Sequence, residues 1–280
     1  MKMLTELEKE NIVRFLDEDV GFGDITTALV PEAKATAELV CKQDCVLAGV
    51  EEAEFLFSLA GAKAKQLAKN GDIIRKGTTV MRAAGPNKGL LQVERTILNL
   101  MSRMSGVATA CSQAVEIARQ VNPKTRIAII RKTLPGLTAF DKKAAKIGGA
   151  DTHRMNLEEM VLIKNNHLVF FKSVSEALKV AKTKASFSKK IEIETRSPEQ
   201  ALEAAEDDPD IIMLDNFDSK TAAETVKKIR RKNPRTLIEL SGGITLDNLA
   251  DYVAAGADVV SMGILTKEAK SIDFSMRVKK

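Results

Sequence analysis

Apolar positions along the chain follow two rhythms, and the change between them falls near residue 125. Residues 5–18 place Leu7, Ile12, Phe15 and Leu16 on one side of a helix, the spacing of an amphipathic surface element. "ATAELVCKQDCVLAGV" then alternates as strands do. "EEAEFLFSLAG" reads as a helix ending at Gly61, and "AKAKQLAKNGDIIRKGTTVMRAAG" gives further strands around an Asn70-Gly71 turn. From Gly89 to Val121 the helical period returns, with a break or kink expected at Ser105-Gly106, and this segment is expected to join two domains.

Beyond residue 125 short β-rich runs, "RIAII", "MVLIK", "KIEIE", "DIIMLD", "TLIEL" and "DVVSMG", alternate with helical stretches such as "SVSEALKVAKTKA", "SPEQALEAAED" and "SKTAAETVKKIRRK". Strands that are apolar almost throughout and separated by helices predict a parallel sheet covered on its outer face. Repetition at roughly 20 to 30 residues favours a TIM-like α/β barrel over a doubly wound sheet, and places the active site at the C-terminal strand ends.

Polar residues gather at those ends. Arg131 and Lys132 follow "RIAII", Lys164 closes "MVLI", Glu192 and Glu194 share one face of "IEIE", and Asp215 follows "IIML". Ser241, Gly242 and Gly243 follow "LIEL", and Ser261 and Gly263 follow "DVV". An isolated Arg-Lys pair serves equally well to cap strand carbonyls. Convergence of Arg131, Lys132, His153, Arg154 and Lys164 favours an anionic ligand instead, because like charges gathered without a counterion are costly. His153 and His167 are the only imidazoles, and they lack a nucleophile elbow that would make a hydrolytic triad. Glu192, Glu194 and Asp215 suit ribose hydroxyls or Mg²⁺, or else a salt-bridged barrel interior. The glycine-bearing loops offer free backbone N–H groups to a phosphate.

Composition narrows the field. With 44% hydrophobic and 29% charged residues, the 280-residue chain is ordinary for a globular protein. No stretch approaches the ~20 apolar residues of a membrane span, and the N-terminal segment lacks the apolar core of a signal peptide, so a cytoplasmic location is expected. A net charge of +5 and a pI near 9.0 suit anionic partners, but 43 basic residues face 38 acidic ones, so positive charge must act through local clusters. The absence of Trp, with Tyr252 the sole tyrosine, weakens any scheme of base stacking. Cys41, Cys45 and Cys111 cannot all pair, and "CKQDC" has no second ligand pair, so buried or half-exposed thiols are expected.

The ordered motifs "GDITT", "ERTILNL", "SGVAT", "RKTLPGL", "GGADTHR", "LIKNNH", "IEIE", "MLDN", "ELSGG" and "SMGILT" together resemble the quinolinate phosphoribosyltransferase family over almost the whole chain. The resemblance implies an α/β fold: an N-terminal α/β sandwich domain, residues 1–108 completed by 270–280, and an incomplete, seven-stranded TIM-like α/β barrel, residues 109–269. It implies a homodimer in which Arg95 is supplied across the interface, within a hexamer-type assembly of dimers, with no nucleic-acid or membrane partner. Arg131, Lys132, His153, Arg154 and Lys164 match the family's cationic substrate pocket, Glu194 and Asp215 its acidic residues near ribose and metal, and Ser241, Gly242, Gly243, Ser261 and Gly263 its phosphate loops. The implied reaction joins quinolinate to 5-phosphoribosyl 1-diphosphate, giving nicotinate mononucleotide, diphosphate and CO2 with Mg²⁺ as cofactor. Lys132, Glu194 and Asp215 are the expected catalytic residues.

Three positions depart from the family pattern: Ile130 stands where Thr is usual, Thr138 where Arg follows "PGL", and Lys267 where the closing motif has His. The first removes a hydroxyl and the second a positive charge, changes that bear on substrate identity more than on fold. "GGADTHR" leans towards a related branch associated with molybdenum-transport operons, whereas "ERTILNL" and "LIKNNH" favour the quinolinate enzyme. A sugar-phosphate aldolase or isomerase would share the late phosphate loops but need fewer cations. A nucleic-acid binder would suit the pI, yet carboxylates at the strand ends would repel its phosphates.

Overall fold

The structure is a computed structural model that describes residues 4–280. Helix α1 (Glu6–Val20) begins at Thr5, whose hydroxyl accepts from the Glu8 N–H while the Glu8 carboxylate accepts from the Thr5 N–H. Ile12 is fully buried on this helix, but Leu7 is 63% exposed and drops out of the apolar side assigned from sequence. Helix α2 (Ile25–Ala28), strands β1 (Lys34–Cys41) and β2 (Cys45–Val46), helix α3 (Val50–Leu59), and strands β3 (Lys63–Gln66), β4 (Ile73–Ile74) and β5 (Thr79–Pro86) follow. Helix α4 (Asn87–Val121) then runs 35 residues without the expected break. Gly106 is there for close approach, not for bending: a Cβ would lie 2.3 Å from the Lys270 carbonyl oxygen. Ser105 beside it donates to the Ala48 carbonyl and accepts from the Ala48 N–H.

The remaining elements are β6 (Arg126–Ala128), α5 (Thr138–Ile147), β7 (Val161–Ile163), α6 (Asn165–Leu168), α7 (Val174–Lys184), β8 (Ile191–Thr195), α8 (Pro198–Glu206) and β9 (Ile211–Asp215). After them come α9 (Ser219–Lys232), β10 (Leu237–Ser241), α10 (Leu249–Ala254), β11 (Val259–Ser261), α11 (Ile264–Lys267) and β12 (Phe274–Lys279).

Two compact units result. Among the described residues the first draws on 4–112, 134–149 and 268–280. Its four-stranded antiparallel sheet has the order β12-β1-β5-β3, with β2 and β4 paired separately. Phe57, Phe140, Leu39, Met81, Ile97 and Met101 are among its fully buried side chains. Three charged residues, Glu52, Asp141 and Lys142, are buried with them. Asp141, with no exposed surface, takes a two-pronged hydrogen bond from Arg103 at 2.9 and 2.8 Å, and Glu52 meets the Lys143 ammonium at 2.7 Å. All three cysteines are free and buried, with Cys41 and Cys45 Sγ atoms 3.5 Å apart.

The second unit, residues 113–133 and 150–267, is built on a six-stranded parallel sheet in the order β6-β11-β10-β9-β8-β7. The seventh position expected from sequence is reduced to a single parallel bridge between Ala128 and Asp151. Helices between the strands start on well-made caps: Ser173, Ser197 and Asp218 side chains each accept a first-turn N–H, and Pro198 opens α8. These helices bury small or branched residues, Ala201, Ala204, Ala205, Ala222, Val226 and Ile229, and turn charge outwards. No helix among the described residues is long and apolar enough to cross a membrane.

Candidate functional site

Register decides which side chains of the second unit share a face. Glu194 and Glu239 both lie level with Met213, while Asp215, Ser241 and Ser261 form the next level towards the C-terminal strand ends. Strand alternation adds Glu192, two residues before Glu194. One face of a nearly all-apolar sheet thus carries three glutamates, an aspartate and two serines. Ser261 donates to Ser241 Oγ at 2.9 Å, both side chains being buried.

Glu194 and Asp215 are held among cations. Lys164 Nζ lies 3.4 Å from Glu194 Oε2, and Arg196 reaches both acids, its guanidinium 3.8 Å from Glu194 Oε1 and 3.5 Å from Asp215 Oδ2. Asn216, itself at φ 59°, donates its amide to Asp215 Oδ2 at 2.7 Å. Burial, then the charge of Glu194, push the Asp215 carboxyl above its ordinary range, against the opposing effects of Asn216, Arg196 and Lys164.

The other predicted cations lie in the same unit. Arg131 and Lys132 follow β6 and are exposed, the Lys132 carbonyl accepting from the buried Thr266 hydroxyl at 2.8 Å. The Lys132 and Ile130 side chains pass close to Gly263, where a Cβ would stand 3.0 Å from Lys132 Cδ and 3.2 Å from Ile130 Cδ1. Arg154 is 8% exposed, and one of its guanidinium nitrogens donates to the Met160 carbonyl at 3.3 Å. Burial, and next the positive charge of Arg131, lower the Arg154 pKa, while Glu192 works in the other direction. Two guanidinium groups that repel each other mark a place where an anion is favoured. Gly242 (φ +92°) and Gly243 (φ +64°) adopt backbone that glycine tolerates best, immediately after Ser241. Arg95 belongs to the first unit, where it is exposed on α4.

His153 sits at φ 52° with both ring nitrogens turned to the protein. Nδ1 accepts the Arg154 N–H at 2.7 Å, and Nε2 lies 3.2 Å from Glu239 Oε2 and 3.4 Å from Glu192 Oε2, aligned as a hydrogen bond with neither. Burial disfavours the imidazolium while the two carboxylates raise the pKa to about 10, but the Arg154 N–H aimed at Nδ1 needs that nitrogen unprotonated and so opposes the charged form. Burial, partly offset by His153, raises the Glu192 pKa. Among the described residues these three side chains are close enough to share a metal ion, their ligand atoms all within 4.8 Å of one another. The ring argues against one. If it is neutral, the Arg154 N–H fixes the hydrogen on Nε2, and if charged, Nε2 is protonated as well, so neither form offers Nε2 as a ligand. His167, the second histidine, is exposed and uses its Nδ1 to accept the Lys164 N–H at 2.8 Å.

Three side chains went unassigned in the sequence. Glu239 hid in "TLIEL", although its place two residues before Ser241 puts it on the same face. Arg196 lies beyond its strand, and Asn216 beside Asp215 signals itself only through its left-handed backbone.

A parallel barrel-like sheet with acids and cations at the C-terminal strand ends, beside glycine turns, defines an α/β enzyme. Residues 24–105 match the description "Quinolinate phosphoribosyl transferase, N-terminal domain" and residues 107–277 the corresponding C-terminal domain. The chain belongs to the quinolinate phosphoribosyl transferase family. It is 43% identical over 259 residues to a probable nicotinate-nucleotide pyrophosphorylase [carboxylating] of Archaeoglobus fulgidus, covering 92% of this chain and 98% of that one. Identity to the rat nicotinate-nucleotide pyrophosphorylase [carboxylating] is 35%, over 94% of this chain and 88% of the relative. The solved nicotinate-nucleotide pyrophosphorylase of Francisella tularensis superposes with a TM-score of 0.91 at 28% identity, over 100% of both chains.

Proposed function

We propose that this chain transfers a phosphoribosyl group from 5-phosphoribosyl 1-diphosphate to quinolinate, releasing diphosphate and CO2 and forming nicotinate mononucleotide for NAD biosynthesis. The observation that carries the reading is the pairing of mutually repelling cations, Arg131 and Arg154, with the acidic pair Glu194 and Asp215 in one unit. The cations suit the two carboxylates of the pyridine, and holding the ring nitrogen at the anomeric carbon replaces a bimolecular encounter. That nitrogen forms the new bond to C1 as the C1–O bond breaks, its electron pair leaving with diphosphate. Glu194 and Asp215 stabilise the positive charge that develops on the ribose. When the adjacent carboxylate departs as CO2 its bonding pair stays on the ring carbon, where the neighbouring quaternary nitrogen stabilises it electrostatically, and Lys132 is assigned to deliver the proton to that carbon.

Glu194 and Asp215 fit Mg²⁺: both are hard oxygen donors, and beside its burial Asp215 feels the like charge of Glu194, a repulsion that a dication would relieve. Bound there, Mg²⁺ would supply charge neutralisation for the departing diphosphate. Ser241, Gly242, Gly243, Ser261 and Gly263 are assigned to phosphate. Arg95, exposed on α4, is assigned to the site of a second copy in a homodimer. The pyrophosphorylase names carried by the relatives favour this reaction over that of the molybdenum-transport-associated branch. Incubating the protein with quinolinate, the phosphoribosyl donor and Mg²⁺ should produce nicotinate mononucleotide, detected by chromatography. Its absence at saturating substrates would overturn the assignment, and turnover only with another pyridine acid would point to Ile130 and Thr138 as selectors.

A further inference from the structure

We propose that Glu192 and Glu239 are positioning residues: they hold the His153 ring inward, and the ring holds Arg154 in the anion pocket. The proposal rests on the phosphoribosyl transfer reading for the identity of the anion, but its geometry is independent of it. Four observations converge. His153 occupies left-handed backbone, a conformation that is unfavourable for a non-glycine residue and persists where surroundings enforce it. Its ring folds back so that Nδ1 receives the N–H of the very next residue, Arg154, at 2.7 Å. On the other side Nε2 faces carboxylates from two strands, β8 and β10, separated in the sheet by β9. Arg154, whose direction this turn sets, is itself buried and electrostatically coupled to Arg131.

The cluster is expensive as architecture. Glu192 has no exposed surface, Glu239 only 1%, and His153 Nε2, both Glu192 oxygens and Glu239 Oε1 lack an aligned hydrogen-bond partner. Apolar side chains of similar volume would fill the barrel with less penalty. The function that offsets the penalty is orientation. With Nε2–H drawn to two fixed acids, the ring has one seat, and a substrate anion meets Arg154 already placed, so less ordering free energy is spent on binding. His153 thus acts through Arg154 and does not touch the substrate.

The test uses the full-length protein and four variants, Glu239→Ala, Glu239→Gln, Glu192→Ala and His153→Ala. Each is checked for folding by far-UV circular dichroism and assayed for kcat and for the KM of each substrate. A positioning role predicts that the three Ala variants raise the quinolinate KM by about tenfold or more with kcat and donor KM changed far less. Glu239→Gln, whose amide keeps an oxygen facing Nε2–H, should recover most of that affinity. A purely structural role would lower the active fraction without raising KM, and folded Ala variants with unchanged quinolinate KM would overturn the proposal. If the Ala variants do not fold, ¹⁵N-histidine labelling in a His167→Gln background isolates the His153 ring. The proposal requires a hydrogen on Nε2 and none on Nδ1 in the free protein, and ring signals that stay in place when quinolinate is added. Loss of that hydrogen on binding, or a large shift of Nε2, would overturn it. Failure of the wild type to use quinolinate would refute the reaction while leaving the free-protein ring measurement decisive for the cluster.

Discussion

Gly242 and Asn216 compete for one space: a Cβ on Gly242 would lie 2.3 Å from Asn216 Oδ1. The Asn216 N–H donates to the Ser241 carbonyl at 2.8 Å, and its amide holds Asp215, so the glycine turn and the acid are mechanically joined. Gly242→Ala adds backbone strain of about 1–3 kcal/mol and displaces Asn216. The expected result is a phosphoribosyl-donor KM raised by roughly tenfold with the circular dichroism spectrum retained. An unaltered donor KM would separate the turn from the donor.

Arg196 spans Glu194 and Asp215 with an exposed side chain and long contacts, an arrangement that a divalent cation can displace. Arg196→Ala should leave thermal stability within about 0.5 kcal/mol, because exposed pairs contribute little. Mn²⁺ affinity of the free protein, followed by electron paramagnetic resonance, should rise several-fold as the competing charge is removed. Weaker Mn²⁺ binding would mean that the guanidinium helps build the metal site.

Lys143 is the counterion of a fully buried carboxylate, Glu52. Lys143→Met should cost about 3–5 kcal/mol, measured by urea unfolding, since it strands that charge. Glu52→Gln combined with Lys143→Met should restore much of the loss. An equal loss in the double variant would show that packing, not charge, is responsible.

The same pair sets a pH dependence. Burial opposes the Lys143 charge, but attraction to Glu52 and then its hydrogen bond dominate and raise the pKa. A raised lysine pKa gives stability that is complete below the unfolded value of about 10.4 and is lost as pH climbs through the folded value. Burial raises the Glu52 pKa despite Lys143, so its ionisation subtracts stability as pH rises from the unfolded value of about 4.3 through the folded one. Wild type should therefore lose more stability between pH 9 and 11, roughly, than the Glu52→Gln, Lys143→Met double variant. Parallel curves would dismiss the pair as the source.

Gly106→Ala should destabilise the protein by about 2 kcal/mol or more, because the new methyl meets the backbone carbonyl of Lys270, which cannot rotate away. A gain in stability from the higher helix propensity of alanine would show that the 270 segment yields.

Strand periodicity exposed the parallel sheet and placed Arg131, Lys164, Glu194, Asp215 and Ser241 at its ends, because alternation and strand termini are local properties. Gly106 was misread for the opposite reason. Its cause is a carbonyl distant in sequence, so local reasoning could see only a helix breaker. His153 shows the intermediate case: its residue type announced chemistry, but the orientation of its ring depended on Glu239, whose role emerges only when strands are set in register.

Strand β1 is flanked by β5 on one edge and by β12 on the other, with Thr36 opposite Lys279 and Cys41 opposite Phe274. During vectorial synthesis, one edge of β1 stays bare while the ribosome makes everything up to residues 274–279. At ordinary elongation rates that interval is roughly 10 to 50 s. An open edge of this kind invites pairing with other nascent chains, so a holding chaperone should engage it early and let go late. The half of the protein begun first is the half finished last.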